Sequence, residues 1–183
     1  MRFIGRWLFH GTTLALALAF AVIAMQAPGF TREYAGALQQ AAAALRRDID
    51  ARESAARSYY GLGDLADDAL IKALAAREPS NAESLGASIA RGQRLSVAAA
   101  AIAESAPLLR PIVALGDAWR DPDGSKAAIA KLALRNYAVQ LDFSLAAVLY
   151  GFAGLMLGSL IAEALRAALR GRAGRLRLAQ RTR

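Results

Sequence analysis

The feature that most constrains this chain is an uncharged run of twenty residues from Phe143 to Ala162. At a rise of about 1.5 Å per residue, a helix of that length covers the hydrocarbon core of a bilayer, which is about 30 Å thick. The alternative is a core helix of a soluble protein, but such a helix is usually shorter and usually has a polar face, and this run has none. Since lipid offers no partner for backbone polar groups, an apolar run crosses it as a helix. The sequence therefore predicts a transmembrane helix here.

Small residues recur within this run at intervals of four, three, four and four, which places them on one face of a helix. They are Ala147, Gly151, Gly154, Gly158 and Ala162. Gly154 and Gly158 form a GxxxG pair, a spacing that lets two helix backbones approach closely in a membrane. We predict a helix-packing face, directed either at the first membrane helix or at a second copy of the same helix.

Charge is concentrated at the two ends of the chain. The formal net charge is +8, yet residues 28–140 carry 14 Lys/Arg against 13 Asp/Glu. Arg2 and Arg6 precede the first apolar segment, and seven arginines follow the last one. Basic residues beside membrane spans mark the cytoplasmic side. Both ends of the chain are therefore expected in the cytoplasm.

This orientation requires a second span, which the apolar segment Trp7–Met25 provides. The alternative is a cleaved signal peptide, because a basic start precedes an apolar run that ends in small residues. Cleavage after Ala27 would leave Pro28 at the first position and needs a small residue where Met25 stands, although Val22-Ile23-Ala24 is also a candidate site. We expect a retained anchor, since the apolar run is longer than the core of a usual signal peptide.

Between the apolar segments, charged residues alternate with alanine, and turn signals divide the chain into about four or five helices. The first helix has Thr31 as its N-cap and ends at Gly61-Leu62-Gly63, and the second starts at Asp64 and stops at Pro79. A capping box at Ser80-Asn81-Ala82-Glu83 starts the third helix. Pro107 and Pro111 lie near the first turn of a fourth helix, and Ser125 caps the last one. No segment has the sustained alternation of a β-strand.

The predicted architecture is therefore all-α, with N- and C-terminal transmembrane helices flanking a periplasmic helical bundle. The expected boundaries are a basic N-terminus over residues 1–6, a first span over 7–27, the helical domain over 28–140, a second span over 141–162 and an Arg-rich cytoplasmic tail over 163–183. With both ends of the chain expected in the cytoplasm, the helical domain is expected on the opposite side of the membrane.

Groups that carry chemistry are sparse in this sequence. His10 is the only histidine and lies in the first span, within about a turn of its cytoplasmic edge. The middle of the chain therefore contains no histidine for a metal site or a Ser-His-Asp triad. The acidic pairs Asp48/Asp50 and Asp67/Asp68 lie beside arginine or at a helix start, as expected of a solvated helix face. We expect no enzymatic activity, no cofactor and no metal.

The C-terminal tail is the one charge run with a clear physical consequence. Each basic residue near an anionic leaflet contributes about 1 kcal/mol to membrane binding. The arginines of the tail are Arg166, Arg170, Arg172, Arg175, Arg177, Arg181 and Arg183. Arginine also neutralises nucleic-acid phosphates, but this tail has no aromatic residue for base stacking and directly follows a span. We expect contact with anionic lipid headgroups and not with nucleic acid.

Five segments of the chain carry a family resemblance. They are Gln26-Ala-Pro-Gly-Phe30 followed by Tyr34, Leu45-Arg-Arg-Asp48, Asp121-Pro-Asp123, Asn136-Tyr137 and Tyr150-Gly-Phe-Ala-Gly154. In this order they resemble a bacterial family known only as domain of unknown function 2937. The resemblance covers most of the chain. It implies a small inner-membrane protein with two spans, and it assigns neither an activity nor a catalytic residue.

Three classes of function fit these features. The first is a non-enzymatic two-span membrane protein whose periplasmic domain binds a protein partner or stabilises an envelope assembly. The second is a ligand-sensing module, which needs a separate signalling partner because the residues after Glu163 are too few to form a signalling domain. The third is a small oligomeric pore or transport accessory, built by association of the glycine faces. A protein partner or a homo-oligomer is expected in each case.

Overall fold

The computed structural model describes residues 2–121, 124–139 and 143–181, and these residues contain helices and no strand. The helices are α1 (Arg2–Met25), α2 (Ala27–Tyr60), α3 (Asp67–Ala75), α4 (Pro79–Glu104), α5 (Arg110–Trp119), α6 (Ser125–Asn136) and α7 (Leu145–Arg181). The chain divides into two compact units. One, the apolar helix pair, consists of Met1–Gly29 and Ala138–Arg183, and the other, the helical unit, is Phe30–Tyr137.

The start of α2 differs from the prediction. We expected Thr31 to be its N-cap, but α2 begins at Ala27, and Thr31 is buried within the helix. Pro28 is compatible with this start because a proline in the first turn removes an N–H group that has no partner within the helix. The helix α2 therefore begins before Pro28 and Gly29 and continues through both residues.

The end of α2 follows the prediction. The helix ends at Tyr60, and the next residues include Gly61 and Gly63, whose φ angles of 60° and 63° lie in the left-handed region that favours glycine. The helix α3 begins at Asp67, three residues after the predicted start at Asp64.

The predicted capping box of α4 is wrong. The helix begins one residue earlier, at Pro79, and Glu78 occupies the N-cap position. Because the helix starts at Pro79, Ser80 already lies within its first turn. The Asn81 side chain donates a hydrogen bond of 2.9 Å to the Glu78 carboxylate. The helix ends at Glu104, before the predicted fourth helix with Pro107 and Pro111 near its first turn.

The helices α5 and α6 are separated by residues 120–124, and the predicted turn at Asp121-Pro-Asp-Gly124 lies partly outside the described residues. Pro111 lies in the first turn of α5, as predicted. Ser125 is the first residue of α6, not its cap, and Gly124 precedes it with a φ of 67°. The Asp121 carboxylate instead accepts a hydrogen bond of 2.9 Å from the Ala127 backbone, which satisfies a donor at the start of α6.

The helical unit has two groups of buried apolar side chains. The larger brings together residues of α2, α4, α5 and α6, with Tyr34, Leu38 and Ile102 almost fully buried. The smaller joins the end of α2 to α3 and the start of α4 through Leu70 and Leu74, which have no exposed surface. Burial of such side chains contributes about 1.5–3 kcal/mol each.

Candidate functional sites

The helices α1 and α7 pack against each other through the small residues of α7. Gly151 lies against Met25, Gly154 against Phe20 and Gly158 against Ala17. Since the contacted residue of α1 falls in number as that of α7 rises, the two helices are antiparallel.

The approach at Gly154 and Gly158 is too close for a side chain, because a Cβ atom at either position would meet the α1 backbone. A Cβ atom on Gly154 would lie 2.5 Å from the backbone oxygen of Phe20 and 2.6 Å from the Cβ of Ala24. One on Gly158 would lie 2.8 Å from the Cα of Ala17. Ala147 and Ala162, at the two ends of the same face, are buried as well. The residues predicted as a packing face thus lie together, with the α1 backbone against their glycines.

Much of the remaining described surface of the pair consists of exposed apolar side chains. Large side chains with roughly half or more of their surface accessible are Trp7, Leu14, Leu18, Val22 and Ile23 in α1 and Leu145, Val148, Leu149, Phe152, Met156, Leu157, Leu160 and Leu165 in α7. Ser159 donates its hydroxyl hydrogen bond to the Leu155 carbonyl of its own helix, at 2.8 Å. Two stretches, one near the N-terminus and one over Leu145–Ala168, are long and apolar enough to span a membrane by length and composition.

Only part of the predicted lipid-binding tail can be described. The backbone is helical as far as Arg181. Arg166 pairs with Glu163 at 3.0 Å, and the Glu163 side chain is well exposed. The side chains of Arg170, Arg172, Arg175, Arg177 and Arg181 lie outside the described residues, as does the whole of Arg183.

Three of the four acidic residues singled out in the sequence are paired with arginine. Asp50 contacts Arg46 at 3.1 Å and Asp48 contacts Arg52 at 2.9 Å, each across one turn of α2 and with both side chains exposed. In α3, Asp67 lies 3.7 Å from Arg57. Exposed ion pairs of this kind contribute at most about 1 kcal/mol. They are solvated helix faces, as expected, and they do not converge on one another.

A buried polar group that the sequence analysis missed joins three helices of the helical unit. Tyr34 of α2 donates a hydrogen bond of 3.3 Å to the carboxylate of Asp117 in α5, and the other oxygen of that carboxylate accepts from Lys126 of α6. Burial, followed by the nearby Asp117 charge, raises the pKa of Tyr34 above its usual value. The sequence gives no signal for this contact, because Tyr34 and Asp117 are 83 residues apart.

A second buried polar group lies at the end of α2. Glu53 is 5% exposed and accepts a hydrogen bond of 3.4 Å from Arg57, while its second carboxylate oxygen has no hydrogen-bond partner among the described residues. Arg57 also donates to the Leu65 carbonyl at 2.7 Å, which ties α2 to the segment before α3.

A cleft of about 460 Å³ lies in the helical unit, mainly between α2 and α4. Its lining combines the apolar or small residues Ala42, Ala43, Ile49, Ile89 and Gly92 with the polar residues Arg46, Asp67, Gln93 and Ser96. Its volume lies within the range of about 300–1,000 Å³ that is usual for small-molecule sites.

The part of the chain that the structure describes is all-helical. It consists of an antiparallel apolar helix pair, packed through glycine, and a separate helical unit whose residues lie between the two paired helices in the sequence. The chain belongs to the family described as "Protein of unknown function (DUF2937)", whose sequence model matches residues 8–175. No curated protein and no solved structure matches the chain.

Proposed function

We propose that this chain is a non-enzymatic, two-span protein of the bacterial inner membrane. In this proposal α1 and the first part of α7 cross the bilayer, both termini are cytoplasmic, and the helical unit lies in the periplasm. There it binds a protein partner or supports an envelope assembly, while the Arg-rich tail contacts anionic headgroups.

One observation carries the membrane proposal: the small residues of the helix pair face inward and the large apolar residues face outward. In water the large side chains of a helix pair would be expected to face inward, because burial of apolar area drives packing. In lipid that driving force is absent, so membrane helices pack through small residues and leave their large side chains to the lipid tails. The arrangement of α1 and α7 is the one that lipid favours.

The antiparallel packing supports the proposed orientation. Since Gly158 lies beside Ala17 and Gly151 beside Met25, Arg2 and Arg6 belong to the same end of the pair as the arginines after Glu163. The chain leaves the pair for the helical unit at the opposite end. Basic flanks mark the cytoplasmic side, which supports a periplasmic helical unit.

The same packing bears on two alternatives. A pore built by association of glycine faces needs those faces free, whereas α1 of the same chain lies against Gly154 and Gly158. Cleavage of α1 as a signal peptide would remove the helix that covers them. Both alternatives are therefore less well supported than a retained pair.

Cysteine labelling tests the topology directly, because the chain contains no cysteine and each introduced thiol is unique. We would compare Ser80→Cys, at an exposed position of the helical unit, with Thr182→Cys in the tail. A membrane-impermeant maleimide should label Ser80→Cys in cells with a permeabilised outer membrane, and Thr182→Cys only after lysis. The reverse pattern, or release of both proteins from washed membranes, would refute the proposal.

The interaction role has its own test. Gentle extraction followed by native mass spectrometry reports the intact mass, the copy number and any bound protein in one spectrum. One distinct protein at fixed stoichiometry would support the scaffold role. A mass that lacks α1 would instead show that the first span is cleaved.

Ligand sensing is the second candidate, because the helical unit contains the cleft between α2 and α4. Gly92 lines this cleft, whereas a Cβ on Gly86 of the same helix would meet no atom within 4 Å. If a small molecule occupies the cleft, its mass should accompany the wild type and the Gly86→Phe variant but not Gly92→Phe. Identical spectra for all three proteins would remove this candidate.

A further inference from the structure

The helix α5 has an exposed apolar stripe on the side opposite to the core. The stripe is defined by Ile112, Leu115 and Trp119 of α5, whose spacing of three and four places them on one face, together with Leu108, two residues before the helix begins. The exposed fractions of Ile112, Leu115, Trp119 and Leu108 are 61%, 66%, 86% and 43%. The opposite face already supplies Val113, Ala114 and Ala118 to the core. The helix therefore has more apolar surface than the core uses.

The stripe ends at a defined place in the helical unit. Asp117, two residues before Trp119, accepts the hydrogen bond from Tyr34. The Tyr34 ring stacks on Phe30, with centroids 6.4 Å apart, and Phe30 contacts Tyr137 edge-on at 6.0 Å. Phe30 and Tyr137 are the first and last residues of the unit. The C-terminal end of α5 therefore lies where the chain enters and leaves the helical unit.

We propose that the α5 stripe lies in the interfacial region of the bilayer, with Trp119 among the lipid headgroups. This inference rests on the proposed function, in which the residues just before Phe30 and just after Tyr137 lead into the two spans. An amphipathic helix in that position lies in the membrane plane, with its apolar face about 5–10 Å below the headgroup boundary.

The chemistry of the stripe fits this occupant. Tryptophan is enriched at membrane–water interfaces, because its ring is apolar and its N–H group needs a polar partner. Trp119 is followed by Arg120, an exposed residue whose charge favours the headgroup layer. Leucine and isoleucine occupy the rest of the stripe, and they suit the boundary of the acyl chains.

The size of the stripe argues against a second copy of the chain. Four side chains of this kind present on the order of 500 Å², given that a large aromatic residue accounts for about 150–250 Å². A stable protein interface buries about 800 Å² per partner. The stripe alone supplies less than that area, whereas a monolayer contact needs no such minimum because the two spans already hold the chain at the bilayer.

Tryptophan fluorescence tests this inference, because the chain has only two tryptophans, Trp7 and Trp119. The full chain would be reconstituted in vesicles of phosphatidylethanolamine and phosphatidylglycerol, with and without bromine on the acyl chains near the glycerol. With Trp7→Phe, the remaining Trp119 should lose fluorescence in brominated vesicles and should resist quenching by aqueous iodide.

A matched control places the only tryptophan at Tyr59, which is 83% exposed near the far end of α2. The variant Trp7→Phe/Trp119→Phe/Tyr59→Trp should be quenched by iodide and unaffected by bromine. If Trp119 behaves like this control, the inference is wrong. If Trp119 resists iodide without responding to bromine, a protein covers the stripe and the inference is also wrong.

The two proposals fail in distinguishable ways. With Trp119→Phe, the remaining Trp7 reports whether the helix pair is in the bilayer. Quenching of Trp7 by brominated lipid but not of Trp119 would overturn the α5 inference alone. If neither tryptophan responds to brominated lipid, the membrane proposal itself is wrong.

Discussion

The apolar helix pair and the helical unit solve the packing of helices in opposite ways. In the pair, contact is made by residues without side chains or with a single methyl group, such as Gly154, Gly158 and Ala17, and large residues are exposed. In the helical unit, contact is made by large side chains such as Tyr34 and Leu38, and alanine fills the gaps. The two regions therefore suit different solvents, because burial of apolar area stabilises helix packing in water but not in lipid.

The two regions should therefore respond oppositely to changes in side-chain volume. The helix pair should be damaged by added volume and should tolerate loss of volume on its outer face. The helical unit should be damaged by removed volume. The variants Gly154→Leu and Leu38→Ala, each with a matched control, test this contrast directly.

The largest effect is expected for Gly154→Leu. The new side chain meets the Phe20 backbone oxygen, which no change of rotamer can move, so separation of α1 from α7 should cost more than about 3 kcal/mol. Unfolding in detergent micelles, followed by circular dichroism, measures the loss. Ala153→Leu, one residue away at an exposed position, is the matched control and should leave stability nearly unchanged.

The next effect is expected for Leu38→Ala in the helical unit. Leu38 has no exposed surface, so the variant loses its burial energy and leaves a cavity, at a cost of about 3 kcal/mol. The counterpart in the helix pair is Leu160→Ala, at a side chain that is 69% exposed, and it should cost less than about 0.5 kcal/mol. Equal losses of stability for the two variants would contradict the expected difference between the helical unit and the outer face of the helix pair.

A smaller loss is expected when the buried polar group is broken. Asp117→Asn leaves Lys126 largely buried without its carboxylate, which should cost about 2 kcal/mol. The control is Asp50→Asn, in an ion pair with exposed side chains, where we expect a loss below about 0.5 kcal/mol. Chemical unfolding of both variants at neutral pH compares them. A similar result for the two would mean that Asp117 contributes no more than a surface charge.

The smallest effect concerns pH. Tyr60 donates a hydrogen bond to Glu78, which raises the pKa of Tyr60 and lowers that of Glu78. The stabilisation from Tyr60 is thus complete below its unfolded pKa and is lost as the pH rises through the higher folded value. That from Glu78 is present above its unfolded pKa and is lost as the pH falls through the lower folded value.

Tyrosinate absorbance during an alkaline titration measures this effect. The component with the raised pKa that belongs to Tyr60 should disappear in Tyr60→Phe and persist in Tyr59→Phe, a matched change at the neighbouring ring. Loss of the same component in both variants would assign it to the ring pair, whose centroids are 4.9 Å apart, and not to the Glu78 contact.

Much of the fold could be predicted from local signals. The glycines after Tyr60 and the proline in α5 were sufficient to locate helix ends, because their backbone constraints act within a few residues. The spacing of small residues in α7 was equally local. The predictions at Thr31 and Ser80 were wrong because both residues are of types that often cap helices, whereas α2 and α4 begin before them.

The contacts that hold the helical unit together were not predictable in the same way. Tyr34 and Asp117 occur in separate helices, and nothing in either local sequence indicates the other. The α5 stripe was missed for a related reason. Leu108, Ile112, Leu115 and Trp119 have the period of a core face, and only the structure shows that a different face of α5 supplies the core.

The contact between Phe30 and Tyr137 has a consequence for assembly. For a flexible connection of this length, 108 residues, bringing its two ends together costs about 4 kcal/mol in chain entropy. Once the helical unit has folded, its ends already meet, and that cost no longer falls on the helix pair. The folded unit thus acts as a short tether that raises the effective concentration of α7 near α1. In the proposed layout, the helical unit is in this sense an intramolecular assembly factor for the two spans that anchor it.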